Sequence, residues 1–316
     1  MPTRLVAMSH TPLLGKVPVA DDVARELEEQ FTSLREQVRD FDPTLVILFA
    51  PDHYNGFFHD VMPAYCVGMA ATAIGDFGSA KGDLPVASEV AEDLVRHLHR
   101  AGHEATFSRA MQIDHGAVQP LEILFGGLDA VPVIPVFVNG VAPPFVPMSR
   151  IRLLGEEVGR FAAGLDERVL VVASGGLSHD PPVPQWETAG TGVRSFLVDG
   201  RDVSAQARAE RESRVMATAA AFSQGTAQIQ DLNPQWDLAF MRRCRDGALD
   251  ELGAYDPDEM SRTAGHSSHE VRTWLAAFAA LSTAAPGSTV TTDYYRPIRE
   301  YIAGFGLMSA GWSDDA

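Results

Sequence analysis

Three short, wholly apolar runs constrain what this chain can fold into: Leu5-Val6-Ala7-Met8, Leu45 to Ala50, and Val169 to Ala173. A run with no polar residue on either alternating face reads as a strand buried on both sides, the condition of a parallel sheet covered by helices. Each run ends within a few residues of a histidine: His10, His53 and His179. Ligands in open α/β sheets gather at the carboxyl ends of the strands, so these three side chains are expected to share a site. His115, in the polar stretch Met111-Gln112-Ile113-Asp114-His115-Gly116, joins them in a candidate metal or acid–base centre.

Helical periodicity fills the intervals. Leu27, Phe31, Leu34 and Val38 recur at three- and four-residue steps and predict a helix over 23–38. Pro85 opens a second helix through Leu98, with Gly102 beyond its end, and Gln119-Pro120 begins a helix-like segment over 121–125. The run 131–138 reads as a strand that Pro132 and Pro135 place near an edge or bend. A helix over 150–163 precedes the strand at Val169, and from Ser204 onward the pattern is mainly helical, at 204–223, 235–246, 257–263 and 269–283. The expected fold class is α/β: a single domain over residues 1–308, with a central, mostly buried β-sheet flanked by helices and a helix-rich C-terminal portion. Residues 309–316 are expected to form an exposed tail.

Charge and cysteine usage narrow the partners. The net charge of −17 argues against nucleic acid and against an anionic membrane surface. Cys66 and Cys244 are the two cysteines, without a CxxC, so reduced thiols in a cytoplasmic protein are expected. The first apolar run is too short for a signal-peptide core, and no stretch approaches the roughly 20 apolar residues of a membrane span. A homo-oligomer is expected on general grounds.

The chemistry rests on groups that only folding unites. His10, His53 and Glu270 would put two imidazoles and a carboxylate on one face of a metal, an arrangement that suits non-haem Fe(II) and also catalytic zinc. Glu270 has a structural reading too, since Ser267-Ser268-His269-Glu270 matches a capping box. By itself that reading is the default, although four-residue steps to Trp274 and Phe278 turn Glu270 inward, where a carboxylate needs a partner. His115 and His179 suit general acid–base work. Ser174-Gly175-Gly176 is read as a strand-exit turn and carries no P-loop or nucleophile-elbow pattern. His59, His97, His99 and His103 are expected to be solvated, with His266 and His269 at most supporting the ligand segment.

Several motifs together resemble the class III (LigB-type) extradiol ring-cleaving dioxygenases. They are Ser9-His10-Thr11-Pro12-Leu13, Phe49 through Gly56, Asp114-His115-Gly116, Gly175 through His179, and Ala264 through Glu270, with Tyr294 through Ile298 and Ile302 through Gly306 near the end. The resemblance covers nearly the whole chain. It implies Fe(II) held by His10, His53 and Glu270, which lifts Glu270 above its capping-box reading. It also implies His115 and His179 as the acid–base pair, His115 protonating the departing oxygen and His179 acting as base. The implied substrates are a catechol and O2, the product is a yellow hydroxy-oxo-dienedioate, and the setting is aromatic catabolism. The particular catechol it points to bears a propionate side chain. In so acidic a chain that carboxylate calls for a local cation, for which Arg109, Arg150, Arg152 and Arg296 are candidates. Two other classes compete: a zinc hydrolase, and a non-catalytic binding protein, against which the presence of two proton-transfer groups argues.

Overall fold

In the computed structural model, which describes residues 2–312, the three apolar runs become three adjacent strands. The strands in chain order are β1 (Thr3–Met8), β2 (Leu45–Ala50), β3 (Tyr65–Gly68), β4 (Ala71–Ile74), β5 (Lys81–Asp83) and β6 (Thr106–Ser108). They continue with β7 (Met111–Ile113), β8 (Val133–Val138), β9 (Val169–Ser174), β10 (Val290–Ile298) and β11 (Ala303–Ala310). Eight of them form one mixed sheet in the order β10-β11-β1-β9-β2-β8-β3-β6, and β5-β4-β7 form a small second sheet. β9 pairs in parallel with both β1 and β2. The carboxyl ends that lead to His10, His179 and His53 therefore stand side by side.

Alternation along the central strands sends side chains to two hydrophobic cores. Leu5, Ala7, Ile47, Phe49, Val171 and Ala173 face one core with the helices Ser88–Arg100, Met148–Ala163 and Val271–Ala284. Val6, Met8, Val46, Leu48, Leu170 and Val172 face the other, covered by Asp21–Phe41, His115–Phe125 and part of Ala205–Ser223. Helix Asp21–Phe41 buries Val23, Leu27, Phe31, Leu34, Val38 and Phe41, the stripe its periodicity predicts. Each such side chain contributes roughly 1.5–3 kcal/mol by leaving water. Helix Val271–Ala284 is buried on every side from Val271 to Leu281. It reaches that depth because a Cβ at Gly155 or Gly159 would overlap the backbone of Ala276 or Ala280, so these two glycines let the helices approach backbone to backbone.

Several expectations are corrected. β8 is an interior strand, between β2 and β3, despite its prolines. Pro135 falls in a gap: Val133 bonds the Pro85–Ala87 segment, and pairing with β3 begins at Val136. That use of Pro85–Ala87 also delays the following helix to Ser88. The C-terminal portion is not wholly helical, because β10 and β11 form a hairpin that docks β11 against β1. Ser309 and Ala310 are buried in β11 and Trp312 donates to the Gln37 carbonyl, so 309–312 is no exposed tail; residues 313–316 lie outside the described residues. His103 is buried against the Tyr65 hydroxyl at 3.3 Å rather than solvated. Among the described residues no helix is long and apolar enough to cross a membrane.

Candidate active site

Four imidazoles and one carboxylate converge where β1, β9 and β2 end. Each ring is held through Nδ1, which leaves Nε2 directed at the centre. His10 Nδ1 bonds Ser174 Oγ at 2.9 Å, and His53 Nδ1 bonds Asp114 Oδ2 at 3.0 Å. His115 Nδ1 bonds Asp76 Oδ2 at 2.5 Å, and His179 Nδ1 bonds the Leu177 carbonyl at 2.8 Å. Glu270, 1% exposed, lies with its carboxylate 3.1 Å from His53 Nε2, 3.2 Å from His179 Nε2 and 3.6 Å from His10 Nε2.

The His10 anchor traces to a proline. Pro120 lies inside helix His115–Phe125, where it lacks the N–H that would bond the Gly116 carbonyl. Ser174 Oγ donates to that carbonyl instead. A hydroxyl has one proton, so toward His10 its oxygen accepts, and the ring carries its proton on Nδ1. The helix itself begins at His115, four residues earlier than Gln119, because Asp114 Oδ1 caps it by accepting from Gly116 N–H. The other oxygen of Asp114 accepts from His53 N–H, His53 Nδ1–H and Asn55 Nδ2–H. One carboxylate thus fixes two of the histidines.

Glu270 is no capping-box residue. It closes a 3₁₀ turn, His266–Glu270, whose cap makes no side-chain bond, and its Oε2 accepts from Gly176 N–H at 2.8 Å. Trp274 Nε1 donates to Gly175 O and Thr273 Oγ1 to Ser174 O, which ties the turn to the exit of β9. A Cβ at Gly175 would sit 2.5 Å from the Glu270 carbonyl oxygen, so the exit turn is glycine by steric need.

The electrostatics favour a cation at the centre. Burial pushes His10 down to about 3, so its Nε2 lone pair is free. Burial opposes charge on His53, yet Asp114 and Glu270 hold its pKa well above the ordinary imidazole value. Burial likewise opposes, and Glu270 reverses, the shift of His179, which is raised. Burial would raise Glu270, but His179 and His10 hold it well below the carboxylate range. These groups fit a metal: an ionised, buried carboxylate faces imidazole Nε2 atoms, and a bound cation would replace the protons now shared among them. Two donor sets are available, the mutually close His10, His53 and His115, or His10 and His53 with Glu270.

Above the centre, the cleft is walled by Leu13, Phe77, Val183, Phe196, Val215 and Tyr301, with Arg211 as the one guanidinium among the described lining residues. Arg109 and Arg296 are instead paired with Glu92 and with Asp22 and Glu26, Arg152 with Glu156 and Asp250, and exposed Arg150 does not line the cleft. Sequence reasoning missed Asp76, Asp114, Ser174 and Arg211 as parts of the site. Asp114 carried a usable signal, an Asp directly before a helix-starting histidine. Asp76 carried a weaker one, between Gly75 and Phe77-Gly78 in a turn.

The chain is 50% identical over 317 residues to a 2,3-dihydroxyphenylpropionate/2,3-dihydroxicinnamic acid 1,2-dioxygenase of Rhodococcus rhodochrous, with all of both chains covered. Enzymes of the same name from Escherichia coli O139:H28 and Paraburkholderia xenovorans are 50% and 49% identical, over 97% and 98% of this chain and 98% of each relative. An uncharacterized Escherichia coli K12 protein of known crystal structure shares the fold, with a TM-score of 0.52 at 13% identity, over 96% of this chain and 98% of that one. The family model for the catalytic LigB subunit of aromatic ring-opening dioxygenases matches residues 4–306, and the chain belongs to that family.

Proposed function

We propose that this extradiol catechol dioxygenase opens the ring of 2,3-dihydroxyphenylpropionate, with Fe(II) held by His10, His53 and Glu270. His115 and His179 are proposed to handle the protons. The observation that carries this reading is the common pose of the four histidines, each fixed at Nδ1, with the Nε2 atoms of His10, His53 and His179 on the buried Glu270 carboxylate. Glu270 is preferred to His115 as third ligand because a divalent ion in a buried site needs a neutralising charge. Asp76, bonded to Nδ1, orients the His115 ring for proton transfer instead. The substrate is the one named for the relatives at about half identity.

Fe(II), when bound, supplies a centre at which a diol and dioxygen meet and through which electrons pass. His179 keeps its proton on Nδ1, on a neutral carbonyl; once the Glu270 charge that raises its pKa is taken up by a cation, its Nε2 is free to accept a phenolic proton. His115, its ring held at Nδ1 by Asp76, is placed to pass a proton from Nε2 to the oxygen released as the ring opens. Phe77, Phe196 and Val215 keep water from the reacting face. A zinc hydrolase would need no dioxygen, and family membership assigns a dioxygenase in its place. Two buried, unpaired cysteines support a reducing compartment, the cytoplasm, and a closed homo-oligomer is proposed on general grounds.

The test is an anaerobic reconstitution with Fe(II), followed by addition of 2,3-dihydroxyphenylpropionate under air with an oxygen electrode. A yellow product with matching oxygen uptake is expected. A colourless mixture without uptake, iron being verified in place, would refute the reading.

A further inference from the structure

The cleft wall carries a cation for which the ring chemistry has no use. Arg211 lies on helix Ala205–Ser223 and lines the same cleft as the four histidines. Its Nη2 donates to Asn55 Oδ1 at 2.7 Å and its Nη1 to the Tyr54 carbonyl at 3.4 Å. Asn55 in turn donates to Asp114, which holds His53. The guanidinium is thus linked through two side chains to the histidine centre. Among the described residues these two neutral oxygens are its partners, and it makes no ion pair. Burial pushes its pKa down, so its charge is incompletely solvated. One turn earlier on the helix, Arg208 has a buried Nη1 with no hydrogen-bond partner.

This is unusual placement in a chain with 42 acidic residues against 25 basic ones. Arg109, Arg152 and Arg296 are each neutralised by carboxylates. At the cleft Arg211 is left without an ion pair, Asp114, Asp76 and Asp52 acting on it only from beyond that distance, while the nearby wall is apolar and the floor holds the anionic Glu270. An anion entering the cleft is repelled at the floor and attracted at the wall. A planar guanidinium with unused donors fits a carboxylate in particular.

We propose that Arg211, assisted by Arg208, receives the carboxylate side chain of an ortho-dihydroxyaromatic acid whose diol faces the histidines. It thereby makes the enzyme select acids over neutral catechols. The diol end of this assignment rests on the ring-cleavage reading above.

The experiment is anaerobic calorimetry of the Fe(II)-loaded protein with 2,3-dihydroxyphenylpropionate and with 3-propylcatechol, a neutral ligand of similar length. In Arg211→Gln the affinity ratio of acid to neutral ligand is expected to fall roughly 10- to 100-fold. Arg211→Lys, which keeps the charge, retains part of the preference, and Arg208→Gln lowers the ratio about threefold. Affinities for both ligands falling together would mean that Arg211 merely buttresses Asn55 and would overturn the proposal. An unmoved ratio would overturn it equally. Oxygen uptake by the unaltered enzyme separates the two readings: a ratio that collapses in a protein without uptake sinks ring cleavage and supports the carboxylate site, and an unmoved ratio with normal uptake does the reverse.

Discussion

The floor of the cleft and its wall are built by opposite means. The floor sits on strand ends, His10, His115, His179 and Glu270 are buried and His53 is partly so, and every imidazole has a named partner behind it. Beside the buried Leu13, Phe77 and Tyr301, the wall is formed by the 181–184 segment and the helices Thr191–Val198 and Ala205–Ser223, which expose most of their surface and bury Leu197, Ala219 and Phe222. Chemistry needs ligands held to within a fraction of an ångström, and rigid strand ends provide that. Selection among substrates needs shape and charge on elements that can vary without unseating the metal. The comparison teaches a division of labour: floor substitutions should abolish turnover, and wall substitutions should redistribute affinity.

The sharpest way to break that comparison is Glu270→Gln. It preserves shape and removes the charge that balances a buried cation. Iron content after gel filtration is expected to collapse, with ring cleavage falling more than about 1000-fold. Retention of stoichiometric iron would move the third ligand to His115 and overturn the assignment. Next comes Asp76→Asn, which keeps an acceptor for His115 Nδ1 and deletes the charge. Here kcat should fall roughly 100-fold while iron is retained, because a proton donor has been weakened rather than a ligand lost. Equal loss of iron and activity would place His115 among the ligands.

A smaller effect separates packing from positioning within the floor. Pro120→Ala restores an N–H that competes with Ser174 for the Gly116 carbonyl, and Ser174→Ala removes the other partner of the same contact. Each should weaken iron binding about 10-fold through His10, and the double variant should be no worse than the single ones. Additive losses in iron titrations would show that the proline acts through the helix alone.

Much of the floor was legible because strand ends are written locally: a continuous apolar run, then a histidine. His10, His53 and His179 could be read that way, and the helix 21–41 from its stripe. Glu270 could not, since its local pattern fits a helix cap; the family resemblance argued against that reading, and the close packing of the 266–270 turn on Gly175 and Gly176 removes it. Asp76 and Asp114 lie 39 and 61 residues from the backbone or ring atoms they hold, a distance no periodicity spans. The interior position of β8 was hidden because proline argues against central strands unless a gap in pairing is supplied from elsewhere. Arg211 was the least legible of all. It sits in an alanine- and charge-rich helix whose pattern reads as a solvated face, and its partner Asn55 is 156 residues away.

The wall's own prediction is the mildest, and it tests the division most directly. Phe196 lines the cleft from helix Thr191–Val198, packs edge-on to Phe58 with ring centroids 6.1 Å apart, and lies under the Arg211 guanidinium at 5.5 Å. It touches none of the groups that hold the histidines. Phe196→Ala therefore removes apolar contact with the substrate and a cation–π neighbour of Arg211, with nothing taken from the floor. Such contacts amount to roughly 1 kcal/mol, so KM should rise about fivefold, with iron content unchanged and kcat within about twofold. Steady-state kinetics beside an iron assay would decide it. A kcat loss as large as that of Asp76→Asn would mean that the wall helps set the reacting geometry, and the two regions would then have to be treated as one machine.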